Sequence, residues 1–248
     1  MTRFAKDLFI SYAHIDNLPL TPEQKGWISR FHATLEALLS MRLGQAAQIW
    51  RDNKLQGNDV FAEEIVDQFT QTAVLVSVLT PRYLNSDWCT REIREFCASA
   101  EQRGGVVVDN KARVFKVLKT PVDSQESLPA VVRDVLGYEF FTLEDGAPLE
   151  LDPAYGEKFA QDYNRKVGKL AWDVAQLLKK LATDPDDGGP DAQAAAKATI
   201  YLAECSYDRK EAREILEGDL RRHGYTVLPE QRLPWDEADY IAAVERLL

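Results

Sequence analysis

Short apolar runs alternate with longer stretches of helical period along most of the chain. Asp7-Leu8-Phe9-Ile10-Ser11-Tyr12 is a compact apolar run ending in polar residues, and it reads as a buried strand. From Thr21 to Leu43 the period turns helical, with Thr21 as N-cap, Pro22 at the first helical position, and Trp27, Phe31, Leu35, Leu38 and Leu39 recurring on one face. Gln48-Ile49-Trp50 predicts a second strand, followed by the polar stretch Arg51 to Asn58 and a helix near Asp59 to Thr70. Ala73 to Leu79 is the clearest strand. A helix from Pro81 to Arg103, a strand from Arg113 to Leu118, a short helix from Ser127 to Leu136 and a fifth strand from Tyr138 to Leu143 come next. A long helix, Pro153 to Leu181, carries Phe159, Tyr163, Val167, Leu170, Val174, Leu177 and Leu178 at helical spacing.

Five strands alternating with crossover helices predict an α/β fold with a doubly wound, flavodoxin-like parallel sheet and helices on both faces. The near-continuous apolar strands fit a sheet buried on both sides. This domain is expected to span residues 1–182. Residues 183–197, which include Asp184-Pro185-Asp186-Asp187-Gly188-Gly189-Pro190, form an acidic Pro/Gly/Ala-rich stretch that builds no core and reads as a linker. Residues 198–248 then restart the pattern: strand Ala198 to Ala203, helix Asp208 to His223, strand Gly224 to Leu228 and helix Asp236 to Leu248. That is half of a doubly wound unit, a partial second α/β segment.

Composition narrows the function classes. Of 248 residues, 30 are basic and 40 acidic, for a formal net charge of −10, which disfavours non-specific binding to the phosphate backbone of nucleic acid. Three Cys in a chain of this length form no disulfide framework. Cys89 and Cys97, eight positions apart on one expected helix, would lie roughly 12 Å apart along its axis, too far to bridge. They read as small core residues. The start of the chain, interrupted by charges, is no signal peptide, and no apolar run of membrane-spanning length occurs. The expectation is a cytoplasmic protein with no membrane partner. Gly-x-Gly-x-x-Gly, the P-loop, the Gly-x-Ser-x-Gly elbow, His-Glu-x-x-His and Cys-x-x-Cys are all missing, and His14, His32 and His223 show no ligand spacing, so no metal site is expected.

In doubly wound sheets ligands bind beyond the carboxyl ends of the strands. Ser11 and Tyr12 close the first strand, where a hydroxyl and backbone N–H groups suit a phosphate or a ribose, or simply end a strand. Arg51 and Asp52 follow the second: a guanidinium suits a pyrophosphate and a carboxylate a ribose hydroxyl, and a surface ion pair is the plain alternative. Leu55 and Gly57 give the next loop an apolar tip and a flexible point, suiting a gate over a site or an assembly contact. On the helix from Pro81, Cys89, Ile93, Phe96, Cys97 and Ala100 form the core stripe. Glu92 lies about 100° round from Ile93, on the flank of that stripe, with Trp88 one turn before it on the same side. Core filling and a solvated helix charge are the plain alternatives for this pair.

Three stretches in order, DLFISYAHID at Asp7 to Asp16, IWRDNKLQG at Ile49 to Gly57 and NSDWCTREI at Asn85 to Ile93, resemble the TIR (Toll/interleukin-1 receptor) domain family over roughly residues 5 to 180. The first matches the opening strand, the second the second strand and long BB loop, and the third the Trp-x-x-x-Glu helix of bacterial members, here Trp88 and Glu92. The resemblance implies an NAD+ glycohydrolase acting in bacterial antiphage defence and switched on by self-assembly. NAD+ would then be substrate rather than cofactor, with no other cofactor. Glu92 would be the catalytic carboxylate, Ser11, Tyr12, Arg51, Asp52 and Trp88 would bind substrate, and Leu55 and Gly57 would act in the loop that gates or assembles. The products are nicotinamide with ADP-ribose or a cyclic isomer. The alternative implied by the same family is a non-catalytic module for homotypic signalling assembly.

Overall fold

The computed structural model describes residues 4–19, 21–51, 68–108, 111–122, 125–126, 128–182, 197–223, 225–229, 233 and 236–247. Their contacts form two compact units, one of Met1–Arg133 with Gly137–Thr183, the other of Asp134–Leu136 with Asp184–Leu248. Most of the expected linker, and the Asp52, Leu55 and Gly57 assignments, lie outside the described residues.

The first unit is built on a five-stranded sheet. Its early elements are β1 (Lys6–Tyr12), α1 (Trp27–Leu43), β2 (Ile49–Arg51), β3 (Thr72–Leu79), α2 (Pro81–Leu84) and α3 (Asp87–Glu101). Next come the short strands β4 (Val107–Val108) and β5 (Lys111–Ala112), then β6 (Val114–Leu118), α4 (Ala130–Arg133) and β7 (Gly137–Glu139). A hairpin of β8 (Phe141–Glu144) and β9 (Ala147–Glu150) leads into α5 (Glu157–Ala182). The strand order is β2-β1-β3-β6-β7, with every pairing parallel, which is the doubly wound arrangement expected. The connections leave β1 toward β2 and then return to its other side as β3, so the winding reverses at β1 and β3, where such folds open a crevice.

Every residue of β3 is buried, and β1 is buried after Lys6, because helices cover both faces. Leu8, Ile10 and Tyr12 of β1 pack with Ile28, Phe31 and Leu35 of α1 and with Val167, Leu170 and Val174 of α5. Phe9 faces the other way, with Leu75 and Leu79 of β3, onto Tyr83, Ile93 and Phe96. Each strand therefore feeds two cores by alternation.

Several boundaries differ from expectation, and four of them have a visible reason. Helix α1 starts at Trp27 rather than Thr21, because Asn17 caps it from a distance: its Oδ1 accepts from the Ser29 backbone N–H at 2.9 Å. Gly26 is required at that join, since a Cβ there would lie 1.8 Å from the Asn17 carbonyl oxygen. The single helix expected from Pro81 is two. Thr80 caps α2, and Ser86 caps α3 by accepting from the Cys89 N–H at 3.3 Å. The expected fifth strand stops at Glu139, and its second half belongs to the β8–β9 hairpin, turned at Asp145 (φ 50°) and Gly146 (φ 80°). Finally, α5 begins at Glu157, after a 3-10 turn over Pro153–Tyr155.

The second unit has a parallel pair, β10 (Lys197–Tyr201) and β11 (Tyr225–Leu228), joined through α6 (Lys210–Arg222) and followed by α7 (Glu237–Leu247). Arg213 of α6 donates to the carbonyls of Leu202 and Ala203 at 2.7 and 2.9 Å, tying the helix to the end of β10. Among the described residues no helix is long and apolar enough to cross a membrane.

Candidate active site

The break between α2 and α3 shapes the site. With Ser86 restarting the helix, Tyr83 is carried into the core and Glu92 is turned back toward the carboxyl end of β1. The Ser11 hydroxyl donates a short hydrogen bond to Glu92 Oε2, and the Trp88 indole N–H donates to Glu92 Oε1 at 3.0 Å. Both carboxylate oxygens thus take a donor, one from the strand and one from the preceding turn of the same helix. Tyr83 Oη lies 2.7 Å from Ser11 Oγ and 3.2 Å from the Cys89 carbonyl oxygen. Because the Ser11 proton is committed to the carboxylate, Tyr83 is the donor toward Ser11, with the Cys89 carbonyl as its longer second acceptor.

Glu92 is only 2% exposed. It is a buried carboxylate at the inner end of a polar chain, rather than the flank group expected from helical spacing. The reason is tertiary. Ser11 places a hydroxyl within the layer where α3 packs, and Trp88 lies partly buried over the same core, so both cover the carboxylate. Burial pushes the Tyr83 phenol well above its ordinary value, with Cys89 and Glu92 adding to it, so the phenol stays protonated as a donor. Burial likewise pushes the Cys89 thiol up to about 12 and the Cys97 thiol to about 11. Neither is a nucleophile at neutral pH, in keeping with their reading as core residues.

The other two described candidates, Tyr12 and Arg51, stand on the opposite face. Tyr12 belongs to the core shared with α1 and α5, and Arg51, at the end of β2, sits 5.9 Å from the Tyr12 ring and donates from Nη2 to Ser29 Oγ of α1 at 3.1 Å. Adjacent strand residues point to opposite sides, so the side chains of Ser11 and Tyr12 cannot share one pocket. Ser11, Trp88 and Glu92 come together; Tyr12 and Arg51 come together elsewhere. Beyond β1, Thr80 donates to the Asp16 carboxylate at 2.7 Å and ties the turn after β1 to the end of β3. Burial raises the Asp16 carboxyl above its ordinary value, while the Thr80 hydrogen bond and Lys119 work against the rise.

Tyr83 is the residue that sequence reading missed. Its signal was Asn85-Ser86-Asp87, a polar break with an N-cap residue inside what reads as one continuous helix.

Comparison with known proteins adds the family. Residues 8–109 match the TIR domain. That stretch runs from β1 through β4 and holds every residue of the buried polar chain. No curated protein matches. Among solved structures, the TIR domains of the activated Roq1 resistosome directly recognizing the pathogen effector XopQ align at 14% identity over 87% of this chain and 99% of that one, with a TM-score of 0.31. The match spans the sheet's first strands and the Trp88–Glu92 helix, and over residues 8–109 the chain is similar to the TIR domain.

Proposed function

We propose that the protein hydrolyses or cyclises NAD+ at the bond between nicotinamide and ribose, with Glu92 as the catalytic carboxylate. The observation that supports this reading most is the Ser11–Glu92–Trp88 arrangement, a carboxylate held from both oxygens at the carboxyl end of β1. Nicotinamide already carries a positive charge in NAD+ and leaves without protonation. One carboxylate therefore suffices where ordinary glycosidases need two. As the bond lengthens, charge develops on the ribose, and a carboxylate already fixed in the opened site stabilises it. In this reading Ser11 and Trp88 hold Glu92 in one rotamer, and the Trp88 ring offers a face to a substrate ring. Capture of the ribosyl cation by water gives ADP-ribose, and capture by the adenine gives a cyclic product.

For the chemistry to run, the buried carboxylate must be uncovered, exchanging one of its two donors for a ribose hydroxyl. Self-association of TIR domains would supply that step by favouring a minor, open state. Specific activity is then expected to rise with protein concentration. An antiphage role would follow from NAD+ depletion.

The burial of Glu92 favours a second reading, in which the polar chain is structural and the domain serves homotypic assembly without catalysis. Incubating concentrated protein with NAD+ and assaying nicotinamide separates the two. Release that climbs with protein concentration supports the enzyme; no release at any concentration leaves the assembly module.

A further inference from the structure

The face of the sheet away from Glu92 holds a charge that its surroundings answer only in part. Arg51 ends β2 with its guanidinium beside the Tyr12 ring, 5.9 Å away, and gives Nη2 to Ser29 Oγ at 3.1 Å. Ser29 is itself fixed by Asn17, whose Oδ1 accepts from both its backbone N–H and its hydroxyl. Arg51 Nη1 is buried and has no hydrogen-bond partner, and among the described residues no carboxylate pairs with this guanidinium. A cationic donor left unsatisfied away from water is costly. His32, one turn beyond Ser29 on α1, lies close enough to feel that charge. Burial lowers its pKa, Arg51 lowers it further, and Glu36, 3.9 Å from His32 Nε2, works in the other direction.

We infer that Arg51, held by Ser29 of α1, forms a binding site for a phosphate or diphosphate group on the sheet face opposite Glu92, with His32 as a nearby reporter of its charge. The guanidinium fork matches phosphate geometry and has one nitrogen held and one to offer. The Ser29 hydroxyl, which gives its proton to Asn17 and accepts from Arg51, holds the guanidinium in place. A bound anion would also reverse the electrostatic pressure on His32, since a negative charge nearby favours imidazolium. The site lies at the carboxyl end of β2, beside the crevice where doubly wound folds take their ligands. It stands apart from the reaction assigned to Glu92 and holds whether or not NAD+ is cleaved.

The test follows the His32 imidazole by NMR in the full chain, with the three histidines assigned by substitution. Inorganic pyrophosphate is titrated first, then inorganic phosphate, then ADP. Saturating pyrophosphate is expected to raise the His32 pKa by roughly half a unit or more and to leave His223 unmoved. Arg51→Gln is expected to weaken binding by roughly tenfold or more. Arg51→Lys, which keeps the charge and loses the fork, should fall between and covers the case in which the Gln variant does not fold. Tighter binding of ADP than of pyrophosphate identifies a nucleotide diphosphate as the ligand. Equal binding identifies the free anion. A His32 resonance indifferent to all three anions, or one that responds equally in wild type and Arg51→Lys, overturns the inference.

Discussion

The two sides of the sheet at its carboxyl edge are made from neighbouring residues of the same strands, yet they handle charge in opposite ways. On one side the Glu92 carboxylate is buried and both oxygens are answered, by Ser11 and by Trp88. On the other the Arg51 guanidinium is answered by Ser29 and faces Tyr12, and one nitrogen has no partner. The difference shows what each arrangement is ready to do. A satisfied charge is held in place and must be released before it reacts. An unsatisfied one is already poised for a ligand. A single step along β1, from Ser11 to Tyr12, separates the two environments.

The largest effect expected from breaking this contrast is on catalysis. Glu92→Gln keeps size and shape and removes the charge, and NAD+ cleavage should fall by about 10²–10³, the usual cost of losing a preorganised electrostatic group. Gln also brings a donor to an oxygen that accepts from Ser11 or Trp88, so thermal melts must accompany the assay. Glu95→Gln, whose side chain pairs with Arg91 on the exposed side of α3, should leave activity near wild type. Nicotinamide release by Glu92→Gln at the wild-type rate would leave the assembly reading in front.

Next in size is stability. Ser11→Ala removes the donor from Glu92 and the acceptor from Tyr83 together, and should cost about 1–3 kcal/mol by leaving buried polar groups unanswered. Tyr83→Phe should cost less, about 1 kcal/mol, because Glu92 keeps both of its own donors. Chemical denaturation of both variants checks the order, and a Tyr83→Phe loss equal to that of Ser11→Ala would show that the chain acts as one unit rather than centring on the carboxylate.

Smaller still is the effect of Arg51→Gln in the absence of any anion. Removing the positive charge should let the His32 pKa rise toward its ordinary value, while the melting temperature changes little. Because the His32 pKa is lowered in the fold, its contribution to stability is present above the ordinary histidine value and is lost as pH falls through the lowered one. The variant should therefore lose less stability on acidification than the wild type. Asp16 carries the opposite sign. Its carboxyl is raised by burial, so the stability linked to it is present below the ordinary carboxylate value and is lost as pH rises through the raised one. Asp16→Asn should flatten that part of the profile, read from melts between acid and neutral pH.

Much of this was legible in the chain. The runs Asp7 to Tyr12, Ala73 to Leu79 and Arg113 to Leu118 announced buried parallel strands because such strands are apolar on both faces. Trp88 and Glu92, four apart on a helix, announced their own contact. Helix ends were less legible. Thr21-Pro22 offered a good local start for α1, but Asn17, ten residues before Trp27 in sequence, supplied the cap that was used. Asp145-Gly146 carried a hairpin signal that the apolar run before it obscured.

The sequence by itself determined the doubly wound fold class, the burial of the strands on both faces, the placing of Trp88 and Glu92 on one side of a helix and the candidate position of Arg51, since all of these follow from local period and from where a doubly wound sheet puts its strand ends. Only the tertiary structure decided that Glu92 is buried, that Ser11 and Tyr83 continue its hydrogen bonding, and that Arg51 meets Ser29 on the other side, its charge acting on His32. Those facts depend on which residues of distant segments meet across a packed layer. Helical spacing gives the angle at which a side chain leaves its own axis, and it carries no information about what the neighbouring strand places in front of it.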